Sequence, residues 1–365
     1  MYRQTIPLYE ETTLKLMSDL AAASEDYTSS MNQSWLAFLQ SKSGEIVESQ
    51  RTVFPQFQQE IPDQYVIPCT QESVICFEGK DAESFLQNQT TCDINDLAEG
   101  RFLFGAYCNP KGRVLATFRL FTMNGAIYMV CHHSIVTSLL ERLKMFVLRA
   151  DVAFRTRPDL AVMCHNKFTE PGRFSLLSWC QTGPAWPKEC YGDSESTQPA
   201  QLIVVPVSDA IQLIEESEED ITLLDSDYWN LLQIRHGVAS ITESASGLFT
   251  PQNLNLDLIS GVSFSKGCYP GQEIVARLRY LGRVKQRLLR GRFQDECEVR
   301  VGESVTLLDT TDSKAGVIVN ASALGGVTTE CLLSVHGFSE AENIYCYRAQ
   351  PSKQITTLPL PYPLQ

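Results

Sequence analysis

Residues 250–277 read TPQNLNLDLISGVSFSKGCYPGQEIVAR, a long irregular stretch that is polar and glycine-containing without being low in complexity. Irregular segments of this length are uncommon in folded domains unless they have a function. Near its end, residues 266–273 read KGCYPGQE, with two glycines and a proline in eight positions. This stretch is therefore the first candidate for a functional site.

Two chemical features of the shorter segment follow from its residue types. Gly267 and Gly271 allow the backbone to turn tightly or to approach a ligand closely. Lys266 places a positive charge near Cys268, and a neighbouring cation favours the reactive thiolate form. From spacing alone two interpretations stay open: a reactive thiol, and an inert cysteine in a tight turn.

The bulk composition indicates a folded chain with more than one core. The chain has 365 residues, of which 44% are hydrophobic and 20% are charged, close to the average for globular proteins. Single cores stop growing near ~250–300 residues, so we expect two or three packed subdomains. No apolar run approaches the ~18 residues of a membrane span, so no membrane segment is predicted.

The charge balance argues against broad contact with nucleic acid. The formal net charge is −13 and the isoelectric point is about 4.9, whereas nucleic-acid binding calls for clustered Lys and Arg. Direct binding to nucleic acid is therefore not expected. The densest basic stretch comprises Arg277, Arg279, Arg283, Lys285, Arg287, Arg290 and Arg292. We interpret it as a solvated strand face, and the acidic run 215–220 as a solvated loop, with docking of a basic partner as the alternative.

The cysteines and histidines predict no metal site. The chain has twelve cysteines and five histidines, and it begins MYRQTIPLYEETT without an apolar signal core. Reduced thiols and a cytoplasmic location are expected. No Cys-x-x-Cys spacing occurs, and only His132 and His133 are adjacent. This histidine pair follows a strand-like run and is interpreted as a strand end or turn.

Hydrophobic periodicity and turn residues predict a mixture of strands and helices. Helices are predicted around 34–39, from an N-cap at Asp81, over 134–148, and from Asp225 or Ser226 to Gly237. Strands are predicted over 73–77, 101–109, 114–121, 126–131 and 151–154, the second and third being joined by the turn NPKG at 109–112. Residues 167–201 are interpreted as a surface loop. After 291, strand-like runs at 304–308, 316–320, 331–336 and 344–347 indicate a small barrel or sandwich.

Several blocks, in the same order, carry a resemblance to a known family. KGCYPGQE resembles the KGCY-x-GQE signature of the YgfZ family, and TPQNLNLDLISGVSFSK before it is similar to the family's PQ, asparagine-leucine and G-x-SF-x-K run. GKDAESFLQNQTTCDI at 79–94 resembles the family's first helix, YCNPKGRVLATFRL at 107–120 its hairpin, and WNLLQIRHGVASI at 229–241 its capped helix. The resemblance covers most of 73–289.

The resemblance implies an α+β fold similar to that of the glycine-cleavage T-protein, an aminomethyltransferase. In that arrangement three subdomains form a cloverleaf around a central funnel, with a small β-barrel at the C-terminus. We expect a variable N-terminal extension and linker at 1–68, a folate-binding core of two interleaved subdomains at 69–290, and the barrel at 291–365. The implied cofactor is tetrahydrofolate or a derivative.

The same resemblance implies a set of site residues. The folate contacts that it carries over are Asn109, Trp229, Lys266, Tyr269, Gln272, Glu273 and Arg277. An indole face suits a flat pterin or aminobenzoyl ring, although Trp229 also fits the core face of an amphipathic helix. Cys268 is the implied redox-responsive group.

This chain departs from the T-protein at three positions. A T-protein glutamate that can pair with pterin nitrogens corresponds to Arg235, and an aromatic residue usual ahead of the first strand falls near Glu72. The T-protein aspartate that assists aminomethyl transfer corresponds to Ala116 and Thr117, neither of which carries charge or exchanges a proton near neutral pH. The chain is therefore not expected to be an active glycine-cleavage aminomethyltransferase.

By resemblance, the role is that of a folate-binding factor that supports assembly or maintenance of iron–sulfur enzymes, including those that thiolate tRNA. Iron–sulfur enzymes are then its client partners. Two alternatives stay open. One is a folate-dependent one-carbon transferase or demethylase that uses Cys268 or Glu273 in place of the missing aspartate. The other is a protein-docking module in which folate is a structural filler.

Overall fold

The computed structural model describes residues 32–47, 50–55, 62–98, 101–166, 200–217, 221–280, 282, 284–294, 297–308, 314–324, 328–337 and 344–364. The predicted loop at 167–201 lies almost wholly outside these ranges. Residues 218–220 of the acidic run also lie outside them. No helix within the described ranges is long and apolar enough to cross a membrane.

The described chain contains six α-helices and seventeen β-strands, with runs of strands between the helices. The α-helices are α1 (Gln33–Ser41), α2 (Ala82–Gln87), α3 (Val136–Val147), α4 (Val207–Glu215), α5 (Asp227–Arg235) and α6 (Gln272–Tyr280). The first strands are β1 (Glu45–Val47), β2 (Arg51–Val53), β3 (Tyr65–Pro68), β4 (Glu72–Glu78), β5 (Leu103–Cys108), β6 (Val114–Met123), β7 (Ala126–His132), β8 (Ala153–Thr156), β9 (Leu160–His165), β10 (Gln201–Pro206) and β11 (Thr222–Leu223). The last are β12 (Gln286–Phe293), β13 (Ser304–Leu307), β14 (Lys314–Leu324), β15 (Thr328–His336), β16 (Ile344–Tyr347) and β17 (Gln350–Leu358).

A five-stranded antiparallel sheet in the order β5-β6-β7-β4-β8 forms one subdomain. One of its faces packs against α2 and α3 through an apolar cluster that includes Phe77, Ala116 and Phe118. Successive side chains of a strand point to opposite faces. Thr117 and Arg119 of β6 therefore lie on the other face of the sheet, which is directed toward the centre of the molecule.

A four-stranded sheet in the order β10-β9-β3-β11 forms a second subdomain. Helices α1 and α4 cover it, with Trp35 and Phe38 of α1 buried against Ile203 and Leu213. The helix predicted around 34–39 is confirmed. Strand β3 is buried along its whole length, so the described parts of 1–68, predicted as an extension and linker, contribute a helix and a strand to a packed core.

Strands β12 to β17 close into a six-stranded barrel in the order β12-β15-β14-β13-β16-β17. The predicted C-terminal barrel is thereby confirmed. Its interior is filled by apolar side chains that include Phe293, Ile318 and Tyr345. The first barrel strand begins at Gln286 rather than at 291; the domain boundaries drawn from the sequence stay a prediction.

A buried carboxylate joins the barrel to helix α5. Glu330 of β15 is 2% exposed and accepts hydrogen bonds from Arg235 of α5 at 3.1 Å and from Arg290 and Arg292 of β12 at 2.8 and 3.3 Å. Burial acts to raise the pKa of the Glu330 carboxyl, but the guanidiniums of Arg235 and Arg290 hold it below its ordinary value. The carboxylate is therefore charged and fixes the relative positions of α5 and β12.

The basic stretch of the sequence is consequently not one solvated face, and that prediction is wrong. Besides the two arginines of β12 that pair with Glu330, Arg287 pairs with Asp257 at 2.6 Å, and the two side chains are 4% and 1% exposed. Arg277 and Arg279 lie apart from this group, exposed on α6, and Lys285 is exposed just before β12. A buried charge requires a partner, and linear spacing does not reveal which arginines face inward.

Candidate functional site

A small cavity of about 10 Å³ lies between the five-stranded sheet and the segments that follow α5. It lies at the inner face of β6. The lining residues are Glu72, Phe104, Gly105, Thr117, Phe118, Arg119, Val130, Cys131, Val238, Ala239, Ser240 and Leu256. Ser240 in turn is hydrogen-bonded to Asn320 of the barrel, so the barrel also lies close to this cavity.

A carboxylate, a guanidinium and two aromatic rings form the polar centre of the cavity wall. Trp229 Nε1 donates a hydrogen bond to Glu72 Oε1 at 2.7 Å. The Arg119 guanidinium lies 4.6 Å from the ring centroid of Phe104 and 4.9 Å from that of Trp229. Its Nη2 donates to Gln233 Oε1 at 2.9 Å. A cation is thus held between two aromatic faces beside a carboxylate.

The electrostatic state of Glu72 follows from this environment. Burial raises the pKa of the Glu72 carboxyl above its ordinary value, and the Arg119 guanidinium and the hydrogen bond from Trp229 offset part of that rise. The carboxyl can therefore take up a proton at a higher pH than a solvated glutamate. Glu72 is the carboxyl group of this wall, and it can accept a hydrogen bond from a donor on a ligand.

The structure gives no acid at the place of the T-protein aspartate. Ala116 is 1% exposed and belongs to the apolar cluster under α2 and α3. Thr117 lines the cavity, and its hydroxyl oxygen accepts a hydrogen bond from the backbone N–H of Ile241 at 2.9 Å. Neither side chain can assist proton transfer as a carboxylate does.

Glu72 also lines a second, larger cavity of about 280 Å³ between the two sheets. Its wall includes Thr156, His133 and Arg157. Arg157 is engaged with Asp159 at 2.6 Å, and burial lowers the pKa of His133 so that its ring is neutral. The wall is therefore polar but carries little unpaired charge.

The predicted site residue Lys266 has a different role from the one expected. It is 8% exposed, and its Nζ donates to the backbone carbonyls of Thr90 and Cys92 at 2.9 and 2.6 Å. Burial lowers the pKa of the Lys266 ammonium. The expectation that this charge acts on Cys268 is corrected: the ammonium donates to backbone carbonyls in the turn after α2.

The remaining residues of the KGCYPGQE segment are divided between core and surface. Tyr269 is 6% exposed, with Lys266 Nζ 5.7 Å from its ring centroid. Gln272 Nε2 lies 3.4 Å from the carbonyl oxygens of Lys266 and Gly267 and closes the loop. Glu273 is exposed on the first turn of α6, as is Arg277 one turn later.

Two further sequence-predicted groups are separated from the cavity wall. Asn109 Oδ1 accepts hydrogen bonds from the backbone N–H groups of Lys111 and Arg113 at 2.9 and 3.1 Å, so its side chain closes the hairpin turn. Cys268 is the one exposed cysteine among the ten that the structure describes, all of them free thiols. Of the predicted site residues, only Trp229 contacts the cavity wall, through Glu72 and Arg119.

Sequence reasoning missed Arg119 and Gln233. The signal was present in β6, where Thr117 and Arg119 interrupt an otherwise apolar run at a spacing of two. A period of two places them on one face. A charged residue on an inward strand face indicates a polar site or an ion pair.

In the described ranges, no group of three or more His, Cys, Asp or Glu is placed to hold a metal ion.

The fold of the chain is aminomethyltransferase-like. The structure aligns over 91% of its length with 98% of the glycine cleavage system aminomethyltransferase T from Bartonella henselae, with a TM-score of 0.68 and 12% sequence identity. An identity this low shows the fold and not the activity. The predicted α+β architecture with a C-terminal barrel is confirmed.

A sequence relative narrows the class to a family. No family model matches the chain. The tRNA-modifying protein YgfZ of Colwellia psychrerythraea is 31% identical to it over 239 residues, which cover 63% of this chain and 72% of that protein. The chain belongs to the YgfZ family, as the segment KGCYPGQE predicted.

Proposed function

We propose that the chain binds tetrahydrofolate or a derivative at the small central cavity and acts as a factor in tRNA modification. The observation that carries the proposal is the arrangement of Glu72, Arg119, Phe104 and Trp229 at the inner face of β6, in a chain with an aminomethyltransferase-like fold. Family membership supports the role, because the relative from Colwellia is named for tRNA modification.

The chemistry of the wall suits a pterin. A pterin presents an amino group and a ring N–H side by side, and a carboxylate accepts such paired donors well. Glu72 Oε1 is held by Trp229. In the described part of the chain Glu72 Oε2 accepts no hydrogen bond, so it is the oxygen that a ligand donor reaches.

Folate can enter the small cavity only if the Arg119 side chain moves. A cavity of about 10 Å³ is far below the ~300 Å³ of ordinary ligand pockets. Folate entry therefore requires the Arg119 guanidinium to leave its place between the rings of Phe104 and Trp229. A flat pterin takes over that stacking position, since aromatic rings and guanidiniums pack on the same faces.

A matched pair of substitutions locates the ligand. Thr117→Met fills the small cavity, and Thr156→Met places the same bulk in the larger one. Each variant is titrated with tetrahydrofolate under reducing, anaerobic conditions, with thermal unfolding as the check on folding. We expect Thr117→Met to weaken binding at least tenfold and Thr156→Met to leave it unchanged. The opposite pattern would place the folate in the larger cavity and contradict the proposal.

The lack of a carboxylate at Ala116 and Thr117 favours a binding factor over an aminomethyltransferase, and the family resemblance suggests its cellular role. The chain serves as a binding factor that supports assembly or maintenance of iron–sulfur enzymes, including tRNA-thiolating ones, and Cys268 is its redox-responsive group. In a deletion strain under oxidative stress, tRNA thiolation should fall and be restored by the wild-type chain but not by Cys268→Ala. Unimpaired thiolation in the deletion strain would contradict the role, and full restoration by Cys268→Ala would exclude the thiol from it.

A further inference from the structure

The exposed Cys268 lies beside a composite surface built from two distant parts of the chain. The hairpin turn at 109–112 packs on the turn that begins α6: a Cβ at Gly271 would lie 2.5 Å from the Asn109 carbonyl oxygen and 2.6 Å from Gly112 Cα. A Cβ at Gly112 would lie 3.0 Å from Ile274 Cβ. The hairpin turn and the exposed side of α6 are therefore neighbours.

Four cations are exposed on the hairpin turn and on α6, and we call them the basic face: Lys111, Arg113, Arg277 and Arg279. None of the four forms an ion pair with another described residue, although Arg113 Nη1 donates a hydrogen bond to the Leu248 carbonyl at 2.8 Å. Helix α6 carries one carboxylate, Glu273. In a chain with a net charge of −13, this is a local excess of unpaired positive charge.

Aromatic side chains are interleaved with these cations. The Arg279 guanidinium lies 4.9 Å from the ring centroid of Phe264, and the Phe264 ring packs edge-on against Tyr280 at 6.1 Å. Tyr280 is 67% exposed and Ile274 is 37% exposed. An exposed tyrosine ring that packs against an arginine-bound phenylalanine offers a stacking surface for a base.

We propose that the basic face binds RNA through its phosphate backbone, with Tyr280 as a stacking surface, so that Cys268 is presented beside the RNA. The proposal rests on the proposed role in tRNA modification and names the RNA as a direct partner. It replaces the expectation drawn from net charge, because carboxylates beyond the ~8 Å Debye length at physiological salt are largely screened and local charge decides. Arginine forks match phosphate oxygens, and these forks form no ion pair within the described structure.

The salt dependence of tRNA binding tests this inference. Unfractionated tRNA is titrated with the full-length chain at several salt concentrations. Four phosphate contacts predict a slope of log K against log salt of about −3, from roughly 0.7–0.9 per contact. Lys111→Gln and Arg277→Gln should each make the slope shallower by about one contact. Tyr280→Ala should weaken binding at every salt concentration without changing the slope.

The matched control removes exposed cations that lie outside the basic face. Lys80→Gln and Arg155→Gln change the net charge equally at side chains that are 76% and 61% exposed, and they should leave the slope unchanged. No tRNA binding, or a slope that the basic-face substitutions leave untouched, would overturn the inference and leave this surface to an acidic protein partner. Because no folate is present, failure here is distinct from failure of folate to bind.

Discussion

A single buried ammonium holds the KGCYPGQE segment against the turn after α2. Lys266 Nζ donates to the carbonyls of Thr90 and Cys92, and Thr90 itself bonds back to Leu86 at the end of that helix. Charge-assisted hydrogen bonds of this kind are about twice as strong as neutral ones. The residue is therefore a structural clamp for the segment that presents Cys268.

Replacing Lys266 by Met should destabilise the fold. Two buried carbonyls lose their charged donor, and each unsatisfied group costs about 1–3 kcal/mol, so we expect the free energy of unfolding to fall by about 2–4 kcal/mol. Urea unfolding followed by circular dichroism measures the change. Lys111→Met, at an exposed position, is the control and should change stability by less than about 0.5 kcal/mol. Equal losses in the two variants would contradict the clamp.

Residue types predicted part of the site. The helical pattern around Trp229 allowed both a core residue and a folate contact, and the structure shows a buried indole whose N–H holds Glu72. The resemblance alone brought Lys266 and Asn109 into the folate set, whereas both satisfy local backbone groups. Arg119 was missed because its two-residue spacing from Thr117 places both on one strand face but does not show that this face turns inward.

At the scale of elements, the contact between the β5–β6 hairpin and α6 depends on one glycine. Gly271 has a φ of +82°, and a side chain there would meet the backbone of Asn109 and Gly112 at 2.5–2.7 Å. Gly267, in the same segment, has open space around it and no positive φ. The fold therefore requires a glycine at position 271 but tolerates a side chain at position 267.

The pair Gly271→Ala and Gly267→Ala separates these requirements. Gly271→Ala combines backbone strain of about 1–3 kcal/mol with a clash that pushes the hairpin away from α6, so we expect a loss of stability above about 2 kcal/mol. Gly267→Ala should be within about 0.5 kcal/mol of wild type. Both are measured by urea unfolding. Similar stabilities for the two variants would show that the hairpin does not rest on Gly271.

Element prediction succeeded where the pattern was long and the turn chemistry strong. The hairpin with its NPKG turn, the capped helix from Ser226 to Gly237 and the strand runs of the barrel are confirmed. Helices α4 and α6 and strands β1, β2, β3, β9, β10, β11 and β17 were not predicted, and α6 begins within the stretch 250–277 that was expected to be irregular. Short apolar runs such as those of β9 and β10 do not distinguish a buried strand from a helix by period, and partners far along the chain decide them.

At the scale of the whole molecule, four histidines are held in neutral form: His165 is fully buried, and His132, His133 and His236 are partly buried. Burial lowers the pKa of His132 and His165 to about 3 and that of His236 to about 4. Their pKa in the unfolded chain is ~6.5. Below that value the unfolded chain binds protons that the folded chain does not, so folding stability falls as pH drops from about 6.5 toward 3–4.

Stability should therefore decrease between pH 7 and pH 5. Each buried histidine contributes a slope of about 1.4 kcal/mol per pH unit below the unfolded pKa, or about 1–2 kcal/mol over this interval. His132→Asn keeps a side-chain acceptor for the Ser134 N–H and removes one titrating group, so its loss between the two pH values should be smaller than that of wild type. Urea unfolding at pH 7 and pH 5 measures both. A loss as large as in wild type would assign the pH dependence to other groups.

The central claim is that this molecule holds a folate where its subdomains meet. The most direct measurement is a calorimetric titration of the purified chain with tetrahydrofolate under reducing, anaerobic conditions, alongside Trp229→Phe. We predict saturable binding that the substitution weakens about fivefold, because Glu72 loses the hydrogen bond that orients it, worth about 1 kcal/mol. The absence of saturable binding to the wild-type chain would contradict the claim and favour a docking module on the same fold.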